Sequence, residues 1–183
     1  LINCASLGLE ISLTGKTAHA ATPEDGLSPA LAIASLIPAL QALGPGGPLD
    51  AAIRLVTITH ARIGEPSFGI APGKGVIYAT LRAAQDVDVA DLEASARRLA
   101  QQAAQDNGLD VSFAVFDHFA ASINDPEAYA VATRAMGALA VPHGAEGLPM
   151  RASEDFGVFG WDAKAAMLCL GPGETHPALH NPD

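Results

Sequence analysis

The sequence predicts an α+β fold over residues 7–116: one antiparallel four-stranded sheet with two helices on one face. Three observations predict it. Four segments alternate apolar residues or are rich in β-branched ones, which is the strand period. Two segments between them repeat apolar residues at helical spacing. Glycine, proline and asparagine punctuate the junctions. The resulting order, β-α-β-β-α-β, is the ferredoxin-like split β-α-β.

The first strand is read over 7–13, where Leu7, Leu9, Ile11 and Leu13 share a face. The stretch TGKTAHAATPEDGLS is dense in turn formers and reads as a loop. Ser28 caps a helix with Pro29 at its first position, and Ile33, Leu36, Ile37, Leu40 and Leu43 form its buried stripe. Pro38 lies inside that stripe and predicts a kink or an early end. GPGGP then stops the helix. Residues 52–60 and 75–82 give the next two strands. Asp88 and Asp91 open the second helix, whose apolar positions are Val89, Leu92, Ala96, Leu99 and Ala103, and Asn107-Gly108 ends it. The fourth strand spans 109–116, with Leu109, Val111, Phe113 and Val115 on one face.

Residues 117–183 read differently. Asp125 caps a helix that has Pro126 in its first turn, and a short helix starts at Asp155. The apolar run 165–170 is expected as a strand buried on both sides, with Cys169 as a small buried hydrophobe. A buried strand needs neighbours, and one helix plus one strand do not make a stable domain. This part is therefore expected to be an incomplete piece of an α/β domain.

Composition excludes some partners. A formal net charge of −10 disfavours nucleic acid and anionic membranes, which require clustered Lys and Arg. The one basic pair, Arg97-Arg98, falls in a helix pattern and reads as a solvated face. No apolar run reaches the length of a membrane span. Two distant cysteines, Cys4 and Cys169, make no disulfide framework and fit a reducing compartment; a cytoplasmic location is expected. The N-terminus lacks the charged start and apolar stretch of a signal peptide. It also lacks an initiator Met, so the chain is expected to be a piece of a longer protein.

Four places offer chemistry. His176 and His180 sit four apart in a Pro-containing loop after the apolar run; imidazole is a common metal ligand, and two exposed loop histidines give the same pattern. His19 lies among small residues, where an imidazole can donate to a developing oxyanion or simply tie the loop locally. Arg82 ends a strand, where a guanidinium can hold a carboxylate by paired hydrogen bonds or be solvated. Glu154-Asp155 is an acidic pair that starts a helix or lines a site. His60, His118 and His143 are read as structural. P-loop, nucleophile-elbow, dinucleotide and C-x-x-C patterns are absent.

Four stretches in order carry a family resemblance: GKTAHAATPEDGLSPALA, GIAPGKGVIYATLR, MRASEDFG and LGPGETHPALHNPD. Together they resemble the M20 metallopeptidases, in the amidohydrolase branch that includes hippurate and other N-acyl-amino-acid hydrolases. The resemblance implies a ferredoxin-like lid that commonly forms a homodimer, here 7–116, followed by the C-terminal part of an α/β catalytic domain, here 117–183. It implies hydrolysis of amide bonds in N-acyl amino acids or small peptides. The complete enzyme would use two divalent metal ions, zinc or manganese, with a metal-bridged water as nucleophile.

Carried over by residue, the resemblance makes His180 a metal ligand. It makes His19 the lid histidine that polarises the scissile carbonyl in the partner's site, and Arg82 the lid arginine for the substrate carboxylate. Glu154 lies beside the site without touching the metals. The family's lid asparagine falls at Gly69, so its amide contact to substrate is missing here. The other metal ligands of the family lie upstream of anything in this chain, which is therefore expected to be inactive alone. Two other readings share part of these features: a non-catalytic dimerisation or ligand-binding module, and an ACT-like regulatory domain. The second leaves SEDF and LHNPD unexplained.

Overall fold

The computed structural model describes residues 1–50 and 52–171. Its central element is a four-stranded antiparallel sheet of β1 (Ala5–Thr14), β3 (Arg54–Ile63), β5 (Lys74–Ala83) and β6 (Asp110–Phe119), in the order β3-β5-β1-β6. A two-stranded ribbon, β2 (Ala18–His19) with β4 (Ile70–Ala71), extends beyond one end. Helices α1 (Ala30–Leu43) and α2 (Asp86–Asp106) pack on one face of the sheet and on each other. The ferredoxin-like α+β order read from the sequence is the observed one.

Strand alternation decides which residues meet the helices. On β1 the inward residues Leu7, Leu9, Ile11 and Leu13 are opposite Leu81, Ala79, Ile77 and Gly75 of β5, and the four on β1 are buried. The intervening Ser6, Gly8, Glu10 and Ser12 line the face without helices. From α1, Ala32, Ile33, Leu36 and Leu40 enter the core; from α2, Val89, Leu92, Ala96, Ala100 and Ala104 do. Burying each large aliphatic side chain contributes about 1.5–3 kcal/mol. The alanine stripe lets α2 lie close to the strands. Gly75 serves α1 in the same way, since a Cβ there would come 2.4 Å from Ile33 Cδ1.

Several boundaries differ from the sequence reading. α1 begins at Ala30 with Pro29 as the flanking residue, and Ser28 Oγ accepts from Ala30 N at 3.3 Å. Pro38 neither ends nor interrupts the helix assignment, because packing of the stripe around it outweighs the one missing bond. The fourth strand, expected to end at 116, runs on to Phe119 and so includes His118. The loop after β1 contains β2 and a 3-10 turn, Pro23–Asp25. α2 ends at Asn107-Gly108, and Gly108 takes the left-handed φ of +64°.

Beyond the sheet, α3 (Pro126–Ala138) is capped by Asp125, whose carboxylate accepts from Glu127 N and Ala128 N. A 3-10 turn spans Asp155–Gly160. The expected buried strand at 165–170 is not found. Met167 is held by Asn124, which donates to Met167 O and accepts from Met167 N, and Ala165 O accepts from Asp125 N, but among the described residues no strand pairs with the run. Leu170 is 97% exposed, and Cys169 is exposed rather than buried. An apolar run becomes a buried strand only with neighbouring strands, and none lies beside it among the described residues. α3 likewise has no buried residue.

Candidate functional site

The site residues read from the sequence fall at two poles of the sheet. At the outer pole, the β2–β4 ribbon places His19 opposite Ile70, and Ala20 N donates to Gly69 O at 3.0 Å. His19 and Gly69 are thereby neighbours. His19 Nδ1 accepts from Ala21 N at 3.1 Å. A neutral imidazole that accepts at Nδ1 carries its proton on Nε2, so the exposed end of the ring is a donor. That is the form needed to polarise a carbonyl or bind an oxyanion. Phe68, beside Gly69, is fully exposed at the tip of the connection. The sequence reading missed it, although a lone aromatic between turn residues was the visible signal.

At the inner pole, Arg82 is near the C-terminal end of β5. Its Nη1 donates to Arg151 O at 2.6 Å and to Ser153 Oγ at 2.5 Å. Ser153 Oγ in turn donates to Cys4 O at 2.8 Å. Backbone bonds run alongside, Cys4 N to Ala152 O and Met150 N to Ile2 O. Arg151 reaches across to Gly47 O. The segment 150–153 is thus tied to the start of β1 and the end of β5. Burial lowers the Arg82 pKa from its ordinary value, with Cys4 opposing. Burial raises the Cys4 thiol, and the charges of Arg82 and then Arg151 offset part of that. Glu154 follows Ser153 directly, exposed, and flanks the 3-10 turn without capping it. Arg151 and Ser153 were not singled out in the sequence, because their role depends on contacts with residues some 70 or more positions away.

The two poles are well separated. Arg82 lies eight residues beyond Lys74 on β5, roughly 26 Å at the usual strand rise. His19 and Gly69 lie past the Lys74 end. Arg82 and Glu154 share one pole, His19 and Gly69 the other. His176 and His180 lie outside the described residues. Among the described residues no three His, Cys, Asp or Glu side chains converge as a metal-binding group, so these residues supply no donor set for a divalent ion. Among them too, no helix is long and apolar enough to cross a membrane.

No protein-family model matches the chain. Solved structures do match. Aminopeptidase PepT from Bacillus cereus superposes with a TM-score of 0.68 at 20% identity, covering 87% of this chain and 41% of that one. A hydantoinase/carbamoylase family amidase from Burkholderia ambifaria gives 0.65 at 22% identity, over 87% and 38%. An aminobenzoyl-glutamate utilization protein from Klebsiella pneumoniae gives 0.60 at 20% identity, over 68% and 31%. The chain spans about two fifths or less of the length of these structures. What is shared at this identity is the fold. In fold, the chain, with its four-stranded antiparallel sheet and two helices, has the α+β architecture of a part of these peptidase, amidase and aminobenzoyl-glutamate utilization structures.

Proposed function

We propose that this chain supplies the lid and dimer-forming part of an M20-type amide hydrolase acting on N-acyl amino acids or small peptides. The observation that carries the reading is the state of His19. Its ring is oriented by the Ala21 N–H bond, with a donor on the exposed Nε2 at the tip of the β2–β4 ribbon. A substrate amide oxygen offered to that donor would be polarised as the tetrahedral oxyanion develops.

The pole separation favours a two-copy site. A small N-acyl amino acid cannot span roughly 26 Å, so His19 and Arg82 of one chain do not serve one substrate molecule. In a two-fold homodimer through the lid, His19 of one copy serves the site beside the other copy's inner pole. There Arg82, with donors beyond the Nη1 engaged by Arg151 and Ser153, meets the substrate carboxylate. Two divalent ions, zinc or manganese, would belong to the complete enzyme, where such ions activate water for attack. In this chain His180 is the proposed contributor. The solved structures matched in fold bear peptidase and amidase names, which agrees with this reaction class.

The test is subunit mixing in a complete enzyme built with this lid. A His19→Ala subunit is combined with a subunit whose own metal ligands are removed. Recovery of hydrolysis in verified hybrid dimers supports the reading; no recovery assigns His19 to its own subunit or to a structural role.

A further inference from the structure

Among the described residues, Arg82 is a cation without an anion. It stands half-buried on the face of the sheet without helices. Ser6 and Leu55 lie opposite it in the register, with Phe119 beyond Ser6, and none of these is charged. Glu154 and Asp155 follow Ser153 in the chain, yet no carboxylate forms an ion pair with Arg82. Asp86, four residues on, accepts from Ala121 N instead. No carboxylate is among the groups that shift the Arg82 pKa. A charge taken partly out of water is ordinarily paired. Here it is held by two neutral acceptors, Arg151 O and Ser153 Oγ, both on Nη1.

Ser153 is the built part of this arrangement. Its hydroxyl accepts from Arg82 at 2.5 Å and donates to Cys4 O at 2.8 Å, so both of its roles are used and its direction is fixed. A hydroxyl anchored to β1 in this way fixes one corner of the guanidinium fork. Nε and Nη2 make no bond among the described residues, and together they form an edge that a carboxylate can take by paired hydrogen bonds.

We propose that Ser153 is a positioning residue for Arg82 that also sets specificity. It holds the fork by Nη1, and because it is neutral it leaves the charge of the Nε–Nη2 edge to the substrate carboxylate. The inference rests on the reading above, in which Arg82 takes that carboxylate. Ser153→Asp would put a carboxylate where the hydroxyl stands, and that carboxylate would compete with the substrate.

The test has two arms. In the 183-residue chain, ¹³Cζ-detected spectra read rotation of the Arg82 guanidinium. Ser153→Ala should speed it by roughly fivefold, since one bond to a charged donor is lost, and Ser153→Thr should not. Unchanged rotation in Ser153→Ala overturns the positioning. In a complete enzyme built on this chain, benzoate release is compared for hippurate and for hippuramide, its analogue without the carboxylate. Ser153→Ala should lower the hippurate-to-hippuramide ratio of kcat/KM by roughly tenfold, chiefly through KM for hippurate. Ser153→Thr should restore most of the ratio, and Ser153→Asp should lower it further. Arg82→Ala, run alongside, separates the two levels. If it lowers the ratio and Ser153→Ala does not, this inference falls and the reading of Arg82 stands. If neither variant lowers it, the reading of Arg82 falls and takes the inference with it. A ratio restored by Ser153→Asp as well as by Ser153→Thr also overturns the inference, because neutrality would then not matter.

Discussion

The Arg82 guanidinium donates to the Ser153 hydroxyl at 2.5 Å, joining residues 71 positions apart. Ser153 passes the connection on to Cys4 O, so the end of β5, the start of β1 and the segment before Glu154 form one hydrogen-bonded unit. Removing Arg82 should loosen that unit. Arg82→Ala is expected to cost about 1–2 kcal/mol, as for partly exposed hydrogen bonds to a charged donor. Urea midpoints measure the cost. Amide exchange at Cys4 and Met150 should rise with it, because their partners Ala152 O and Ile2 O are no longer pinned. Arg82→Lys should recover only part, since an ammonium lacks the planar fork. Unchanged exchange at both amides would show that the backbone bonds hold this junction alone.

The two thiols should react very differently. Cys169 is exposed and should be alkylated in the folded chain, whereas Cys4 is buried and protonated and should react only after unfolding. Mass spectrometry of iodoacetamide-treated protein distinguishes them. Because burial raises the Cys4 pKa, the folded state holds the thiol proton more tightly than the unfolded chain. Its contribution to stability is therefore full below the ordinary thiol range and is lost as pH rises through and above it. Stability measured from pH 7 to 10 should fall less steeply in Cys4→Ala than in the parent chain.

Gly69 should accept the side chain it lacks. A Cβ there meets nothing within 4 Å, and the backbone is not in the left-handed region. Gly69→Asn should leave stability within about 0.5 kcal/mol of the parent, as for a surface change away from special features. Gly15→Ala is the contrast, because its Cβ would lie 2.1 Å from Leu27 O. It should destabilise by about 1–3 kcal/mol, the usual range for overpacking. Thermal unfolding of the pair checks both. In a complete enzyme with this lid, Gly69→Asn should lower KM through the added amide contact.

His19→Ala, in such a complete enzyme, should lower kcat by roughly a hundredfold or more, with a smaller change in KM, as expected for a lost oxyanion donor. Arg82→Ala should instead raise KM for substrates with a free carboxylate and spare those without one. Steady-state kinetics on a matched pair of substrates separates the two roles.

The 183-residue chain by itself should not hydrolyse N-acyl amino acids, since a catalytic metal normally needs three protein ligands. It should nevertheless dimerise, because β3 and β6 are edge strands and Phe68 stands fully exposed. Light scattering at high concentration tests the dimer, and a metal-dependent turnover assay on pure chain tests the inactivity.

The sheet and its two helices were legible from residues 7–116 because each element carries its own period. Leu7 to Leu13 alternate whatever lies beside them, and Val89, Leu92 and Ala96 recur at helical spacing in the chain itself. His19, Gly69 and Arg82 were legible as candidates through the resemblance of their surrounding motifs. Tertiary structure decided which of them meet. The β2–β4 pairing joins His19 to Gly69, and the length of β5 separates both from Arg82. It also decided that Cys169 is exposed: an apolar run records what a segment can bury, while actual burial depends on neighbours that local sequence does not name. The Arg82–Ser153–Cys4 connection has the same origin. Each residue is unremarkable in its own stretch of sequence, and the hydrogen bonds exist because β1 and β5 pair in a register that brings Cys4 and Arg82 to one end of the sheet.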